Sequence, residues 1–429
     1  MEEVNKIITK TIEEYINDSN YSNDSNDSND SNDSNDSDYS EIELYIYPTD
    51  KCEIINNKYE PIGSSWIHEE QFDDIETNEK LEIIYNKLRN IKLPEQRSDK
   101  WFEMRRCAIT ASDAASALEL SKYNSISSFI LNKINPPEFK SNKFCYHGKK
   151  YEEIATMIYC HRMNVHMEDF GLIIHPQYSY IGASPDGICS PYKFDKKHKS
   201  KFVGRMLEIK CPYIRKIITT GEIKGEICPI HYWIQIQLQL ECCNLEECDF
   251  WQCNIQEYKN RNEFIEDTNP DETYLSQEFG YEKGCVIQLL PINKIQITRE
   301  STNQYFDTVH DCAKILYPPK IEMTPIECDI WISTTMNKIN YCYPEYYFDK
   351  IKYWKLVNSH NVTIYRDMKW FNEDALPKLT KVWKYVEFLR NNKNCCEELM
   401  EYVCSMKKKN NNLIMNKIAN LFNNNNNKN

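Results

Sequence analysis

The sequence predicts a mixed α/β protein. Apolar residues recur at helical spacing in two places, over 76–91 (Leu81, Ile84, Leu88, Ile91) and after Gly148, where Tyr151, Ile154, Ala155 and Ile158 make one stripe. Strand-like runs occupy 170–183, 203–210 and 247–255, with a further candidate helix between the last two. A helix, then strands, then a helix between strands is the order of an α/β core rather than of a bundle or a sandwich.

The remaining elements follow in chain order. Residues 112–119 and 125–134 read as short helices. The run FGLIIHPQYSYIGA (170–183) reads as a hairpin turning at His175, Pro176 and Gln177. Strand-like sequence returns at 285–300 and 351–366, and 369–391 is an amphipathic helix that Pro377 should kink or break. The expected organisation is a disordered acidic tail (1–45), a helical approach (46–94), a core (95–300), an extension packed on it (301–404) and a disordered tail (405–429). Residues 17–40 repeat Asn, Asp and Ser, and the other end runs into Asn-rich sequence. Neither offers much apolar surface to offset its ordering entropy.

The formal charge of −13 would discourage a polyanionic partner if it were evenly spread. Residues 1–45 carry 13 acidic and 2 basic side chains, so everything beyond them is close to neutral and free to form a local basic groove. There is no apolar run long enough to span a bilayer and no basic-then-apolar secretory start, so the expectation is an intracellular, non-secreted protein, at host cytoplasm or a viral replication site if viral. The 18 cysteines include a dense group, Cys242, Cys243, Cys248 and Cys253, without a CxxC pair. They read as reduced, buried thiols, as do Cys395 and Cys396. His147, His161, His166 and His175 share no ligand spacing with them. Trp233 and Trp251 read as core aromatics, and Trp101 as a packing anchor.

Chemistry concentrates at LEIKCP (207–212). In a strand, residues two apart share a face, so Glu208 and Lys210 project together while Leu207 and Ile209 fill the other side. The upstream ASPDG puts Asp186 at the end of a preceding strand, where it could meet Glu208. Two carboxylates at adjacent strand ends suit Mg²⁺ or Mn²⁺. A lysine beside them can orient an attacking water. Glu152, on the helix opened by Gly148, can supply a third carboxylate, whereas Glu153 points about 100° away around that helix.

This ordered set resembles the YqaJ-type viral recombinases and phage lambda exonuclease, a branch of the PD-(D/E)XK nucleases that large DNA viruses also encode. The stretches that carry the resemblance are WFEMRRCAITAS (101–112), GKKYEEIA (148–155), GASPDG (182–187), LEIKCP (207–212) and HYWIQIQLQL (231–240). The segment YWKLVNSHNVTIYRDMKWFNEDALPKL also looks like the extension of large-DNA-virus members. The resemblance implies a restriction-endonuclease-like core, a mixed central sheet flanked by helices. It implies Glu152, Asp186 and Glu208 as metal-side carboxylates, Ile209 lending its carbonyl, two Mg²⁺ (or Mn²⁺) ions, Lys210 activating water and Gln235 positioning both. It further implies Arg105, Ser112 and Ser184 as ligands of a DNA 5′-phosphate. The activity implied is 5′→3′ exonuclease action on double-stranded DNA ends in recombination or repair. A single-strand annealing protein and a trimeric homo-oligomer are partners it allows, with no membrane.

Alternatives stay open at this point. Arg105 could be a helix-surface arginine, and Ser112 a helix N-cap. The lysines of the long loop PYKFDKKHKSKFVGR (Lys193, Lys196, Lys197, Lys199, Lys201) could touch DNA or merely face water. WIQIQLQLE alternates with period two as a strand would, although the family places it on a helix, where Gln235 and Gln239 share a face and Pro229 suits the start. A structure-specific or nicking endonuclease, an iron–sulfur nuclease and a catalytically silent DNA-binding scaffold are the competing functions.

Overall fold

The computed structural model describes residues 75–94, 98–137 and 140–426. The acidic repeat and most of the expected N-terminal approach lie outside the described residues. Helices α1 (Ile75–Arg89), α2 (Asp99–Arg106), α3 (Ala111–Ala117), α4 (Ile126–Ile134) and α5 (Lys143–Met163) precede most of the strands. A small sheet joins β1 (Ile109–Thr110), β4 (Ile181–Ala183) and β3 (Ile173–Ile174) in the order β1-β4-β3. The β3–β4 pair is antiparallel, the hairpin expected around His175.

The main sheet has seven strands in the order β2-β5-β6-β7-β10-β8-β9: β2 (Met167–Glu168), β5 (Gly187–Cys189), β6 (Met206–Lys210), β7 (Glu247–Glu257), β8 (Lys283–Pro291), β9 (Lys314–Leu316) and β10 (Tyr346–Tyr365). Every neighbouring pair in it is antiparallel except β6–β7. A parallel pair needs a crossover, and α6 (Ile230–Cys243) supplies it. Helices cover both faces, as the sequence predicts. On one side Met206 and Phe250 pack with α3, α4 and α6. On the other, Leu207, Ile209 and Trp251 pack with Tyr151, Ile154 and Ile158 of α5. The period-two reading of LEIK therefore describes the strand correctly.

The helical reading of 231–240 is also the right one. Residues Trp233, Ile234 and Ile236 through Cys243 are all buried, so no solvent-facing stripe reveals the 3.6 period, and the alternating pattern misleads. Pro229 stands at its N-cap.

Three expectations need correction. Strand sequence was expected across 285–300, but β8 stops at Pro291, after which 292–300 is helical. The boundary at 300 falls inside the sheet: β9 and β10 come from the expected extension, and β10 lies between β7 and β8. The extension is thus part of the core, because a 20-residue strand reaches its partners only through non-local pairing. Thirdly, the tail beyond 405 is not disordered over 411–426, where a helix runs Asn411–Asn426. Its Ile414, Ile418 and Leu421 are buried against Leu389 and Leu399. Asparagine is a poor helix former, but an i, i+4, i+7 apolar stripe outweighs that propensity once it is packed.

Pro377 does mark a break. The expected 369–391 helix consists of a short turn, a π-helical segment over 371–375 and a regular helix from Leu376, with Pro377 in its first turn. A buried polar cluster ties the layers together. Arg205 contacts Asp249 Oδ1 at 3.1 Å, and Asp249 also accepts from the hydroxyls of Tyr159 (2.7 Å) and Thr363 (2.8 Å). The described cysteines are all free thiols. Cys242, Cys243, Cys248 and Cys253 are buried, whereas Cys395 and Cys396 are half-buried. Ile418→Ala should destabilise the fold by about 2–5 kcal/mol in denaturant titration, the cost of an emptied core position; no loss would mean the terminal helix does not dock.

Candidate active site

Strand β6 sets Glu208 and Lys210 on the face covered by α6, and α6 meets them with two glutamines. Glu208 is fully buried. Its Oε1 pairs with Lys210 Nζ and accepts from Gln235 Nε2 at 2.7 Å, and its Oε2 accepts from Gln239 Nε2 at 2.7 Å. Four residues apart on a helix, Gln235 and Gln239 share a face, so one crossover helix grips both oxygens. Gln239 also donates to the Ser184 carbonyl at 3.3 Å. Lys210 Nζ stands 4.6 Å from the centroid of the Tyr232 ring.

Asp186 precedes β5, the antiparallel neighbour of β6, and its Oδ2 accepts the Ile209 N–H at 2.7 Å. Burial, then the charges of Glu208 and Glu152, push the Asp186 carboxyl well above the usual carboxylate range, against the opposing pull of Lys210. Burial alone would lower the Lys210 ammonium. Glu208 and Asp186 more than compensate, so it is held above its ordinary value. The site carries more negative charge than its own lysine balances, the condition a divalent cation relieves. Oxygen donors only, crowded where the start of β5 meets the middle of β6, fit Mg²⁺ or Mn²⁺. Among the described residues, no three His, Cys, Asp or Glu side chains already stand as a ligand cage. The hydrogen bonds explain this: Glu208 is taken up by Lys210 and the glutamines, and Asp186 by the Ile209 amide.

A cleft of about 180 Å³ opens over these groups, lined by Glu152, Asp186 and Gln235 and also by Arg105, Ser112 and Ser184. Two sequence regions more than 70 residues apart thus meet in one place. Arg105, in the last turn of α2, reaches Ser112 Oγ at 3.1 Å and Thr110 Oγ1 at 3.4 Å, and its guanidinium lies 4.6 Å from the centroid of the Trp101 ring. Burial lowers its pKa, partly offset by Asp113. Ser112 lies inside the first turn of α3, whose N-cap is Thr110, so the N-cap alternative does not describe it. Ser184 Oγ donates to the Phe170 carbonyl at 3.2 Å.

Sequence reasoning did not assign Thr110, Gln239 or the scaffold behind Arg105. Thr110 donates to Asp113 at 2.8 Å, and Lys133 bridges Asp113 and the Arg105 carbonyl at 2.9 Å each. Arg390, far along the chain, donates to the carbonyls of Arg106 (2.7 Å) and Lys133 (2.6 Å). The i, i+2 spacing of Thr110 and Ser112 was the available signal; nothing in the sequence marks Arg390. Trp101, read as a packing anchor, lines the cleft, and its buried Nε1 has no hydrogen-bond partner among the described residues. In the long lysine loop, Lys199 is paired with Glu82 at 2.6 Å.

Acidic residues on adjacent strands, with a lysine two residues beyond the second, form the PD-(D/E)XK arrangement. Residues 100–246 match the family described as the YqaJ-like viral recombinase domain. The chain is 37% identical over 339 residues to the uncharacterized protein R354 of Acanthamoeba polyphaga mimivirus, covering 78% of this chain and 60% of that one. It is 28% identical over 226 residues to a protein of African swine fever virus (strain Badajoz 1971 Vero-adapted), covering 46% of this chain and 61% of that one. The chain therefore spans about three fifths of the length of these relatives. Among solved structures it is similar to LHK-Exo, an alkaline exonuclease from Laribacter hongkongensis, solved also in complex with dAMP. Against the dAMP complex the identity is 26%, covering 37% of this chain and 74% of that one, with a TM-score of 0.30. None of the described helices is long and apolar enough to cross a membrane.

The raised Asp186 pKa has a consequence for stability. The folded protein keeps this proton to higher pH than the unfolded chain does. Folding stability therefore falls as pH rises from the unfolded value near 3.9 through the folded one. In EDTA, Asp186→Asn should stabilise the protein at pH 8 by about 1 kcal/mol or more, with the gain shrinking toward pH 4. Thermal melts across that range measure it, and a pH-independent difference would contradict the crowding.

Proposed function

We propose that this chain is a metal-dependent DNA nuclease, and within that class a 5′→3′ exonuclease acting on double-stranded DNA ends in recombination or repair. The observation that carries the reading is that one cleft is lined by Glu152, Asp186 and Gln235 and also by Arg105, Ser112 and Ser184, a set suited to a terminal phosphate, with Glu208 and Lys210 bound behind Gln235. Mg²⁺ or Mn²⁺, two ions by family resemblance, would be held by Glu152, Asp186, Glu208 and the Ile209 carbonyl. When bound, the metal would stabilise charge on the scissile phosphate and acidify the attacking water.

The chain's own residues do the rest. Lys210, kept charged by Glu208 and Asp186, donates hydrogen bonds that orient water toward phosphorus and steady negative charge. Gln235, bound to the same Glu208 oxygen, fixes where that ammonium can sit. Lys210 and Gln235 both hold Glu208 Oε1, an oxygen that would also serve a cation. Arg105 presents a guanidinium fork, with Ser112 and Ser184 hydroxyls near it, a chemistry that suits a phosphate dianion. Together these contacts would place the terminal nucleotide so that the first phosphodiester meets the carboxylates.

Purified protein should degrade linear duplex DNA with Mg²⁺ and not with EDTA. Lys210→Ala should lower the rate by on the order of 10²–10³-fold, the range for loss of a donor that stabilises developing charge; undiminished cleavage by this variant would remove the assignment. Arg105→Ala should slow digestion of 5′-phosphorylated ends more than of 5′-hydroxyl ends. Equal effects on both, together with cutting of closed circles, would instead favour a structure-specific or nicking endonuclease. An inactive wild type that still binds DNA would favour the scaffold.

A further inference from the structure

A second cleft, about 590 Å³, is roughly three times the volume of the first and lies outside the machinery described so far. One wall is the start of α5, with Tyr146, Lys149 and Lys150. The other is the chain around the edge strand β9, with Lys314 and Tyr317, closed by Tyr346. All of the second wall lies beyond residue 246, outside the matched family domain.

The walls are built rather than casual. Lys150 is buried, paired with Glu257, and its ammonium stands 4.5 Å from the Tyr146 ring and 4.9 Å from the Tyr151 ring. Its carbonyl accepts the Tyr317 hydroxyl at 3.0 Å, which staples the two walls together. Lys314 lies between the rings of Tyr343 (5.2 Å) and Tyr346 (5.6 Å). Lys149 is exposed. Asp311 at the rim carries the opposing charge and accepts the Ser141 amide at 2.8 Å. With Lys150 balanced by Glu257, Lys149 and Lys314 and three tyrosines against one rim carboxylate favour a ligand that is anionic and flat at once. Backbone phosphate on lysines with bases against aromatic rings is how single-stranded nucleic acid is held.

Position supplies the second reason. Lys149 precedes Glu152 by three residues on α5, so the two share a side of the helix about 4.5 Å apart along its axis. The start of α5 thus borders both clefts, with Lys149 lining the second and Glu152 the first.

We infer that this cleft is a single-stranded DNA site adjoining the catalytic one, with Lys149 and Lys314 on the backbone and Tyr346 against a base; the inference rests on the nuclease reading above. The test is fluorescence anisotropy of a labelled oligothymidylate in EDTA, so that nothing is cut, over a range of salt. The double variant Lys149→Glu/Lys314→Glu should bind at least tenfold more weakly, and its log affinity–log salt slope should be shallower by about 1.4, the loss of two single-strand phosphate contacts. Tyr346→Leu, which keeps every charge, should also weaken binding while leaving the salt slope unchanged. It serves if the double variant melts early. Unchanged affinity in variants that melt like the wild type would overturn the site. So would thymidine monophosphate competing as strongly, mole for mole, as the oligonucleotide, since the cleft would then hold a free nucleotide. Lys210→Ala should retain this binding, so failure of the cleft and failure of the nuclease reading remain distinguishable.

Discussion

The buried carboxylate of Glu208 is the constraint around which the rest of the structure is arranged. A fully enclosed negative charge is costly unless it is paired and hydrogen-bonded. Here Lys210 and Gln235 take one oxygen and Gln239 the other. Those partners come from two elements, β6 itself and the crossover helix, and meeting them fixes how α6 lies over β6 and its rotation about its axis.

That rotation is set from outside the matched domain. Arg366, just past β10, holds Glu241 with a two-pronged contact at 2.9 and 2.6 Å. Gln237 donates to the Tyr365 carbonyl at 2.9 Å and accepts the Asp367 amide at 2.6 Å. The end of the long strand therefore clamps the helix that carries Gln235 and Gln239. Arg390 steadies the backbone that presents Arg105 in the same way. The later part of the chain acts as the frame for both halves of the cleft, which accounts for its place in the middle of the sheet.

Legibility in the sequence followed the range of the physics. Glu208 and Lys210 could be read because strand period is local, and Asp186 because a turn motif announced it. Gln239 could be placed on a face but not assigned, since its partner depends on how α6 crosses β6. Period two at 233–241 pointed the wrong way because a helix buried on nearly all sides has no polar stripe. The role of β10 was hidden in pairings between residues about 100 apart. The terminal helix was hidden by asparagines whose low propensity is overcome only by packing onto Leu389 and Leu399. Local chemistry was visible, and long-range support was not.

The central claim is that Glu152, Asp186 and Glu208 together hold a divalent cation beside Lys210. The most direct measurement is an anomalous difference map from a crystal of this protein soaked in Mn²⁺. The account predicts a peak bounded by those three carboxylates, with Lys210 Nζ drawn away from Glu208. A map with no peak there at saturating Mn²⁺, or one only at other carboxylates, would contradict it.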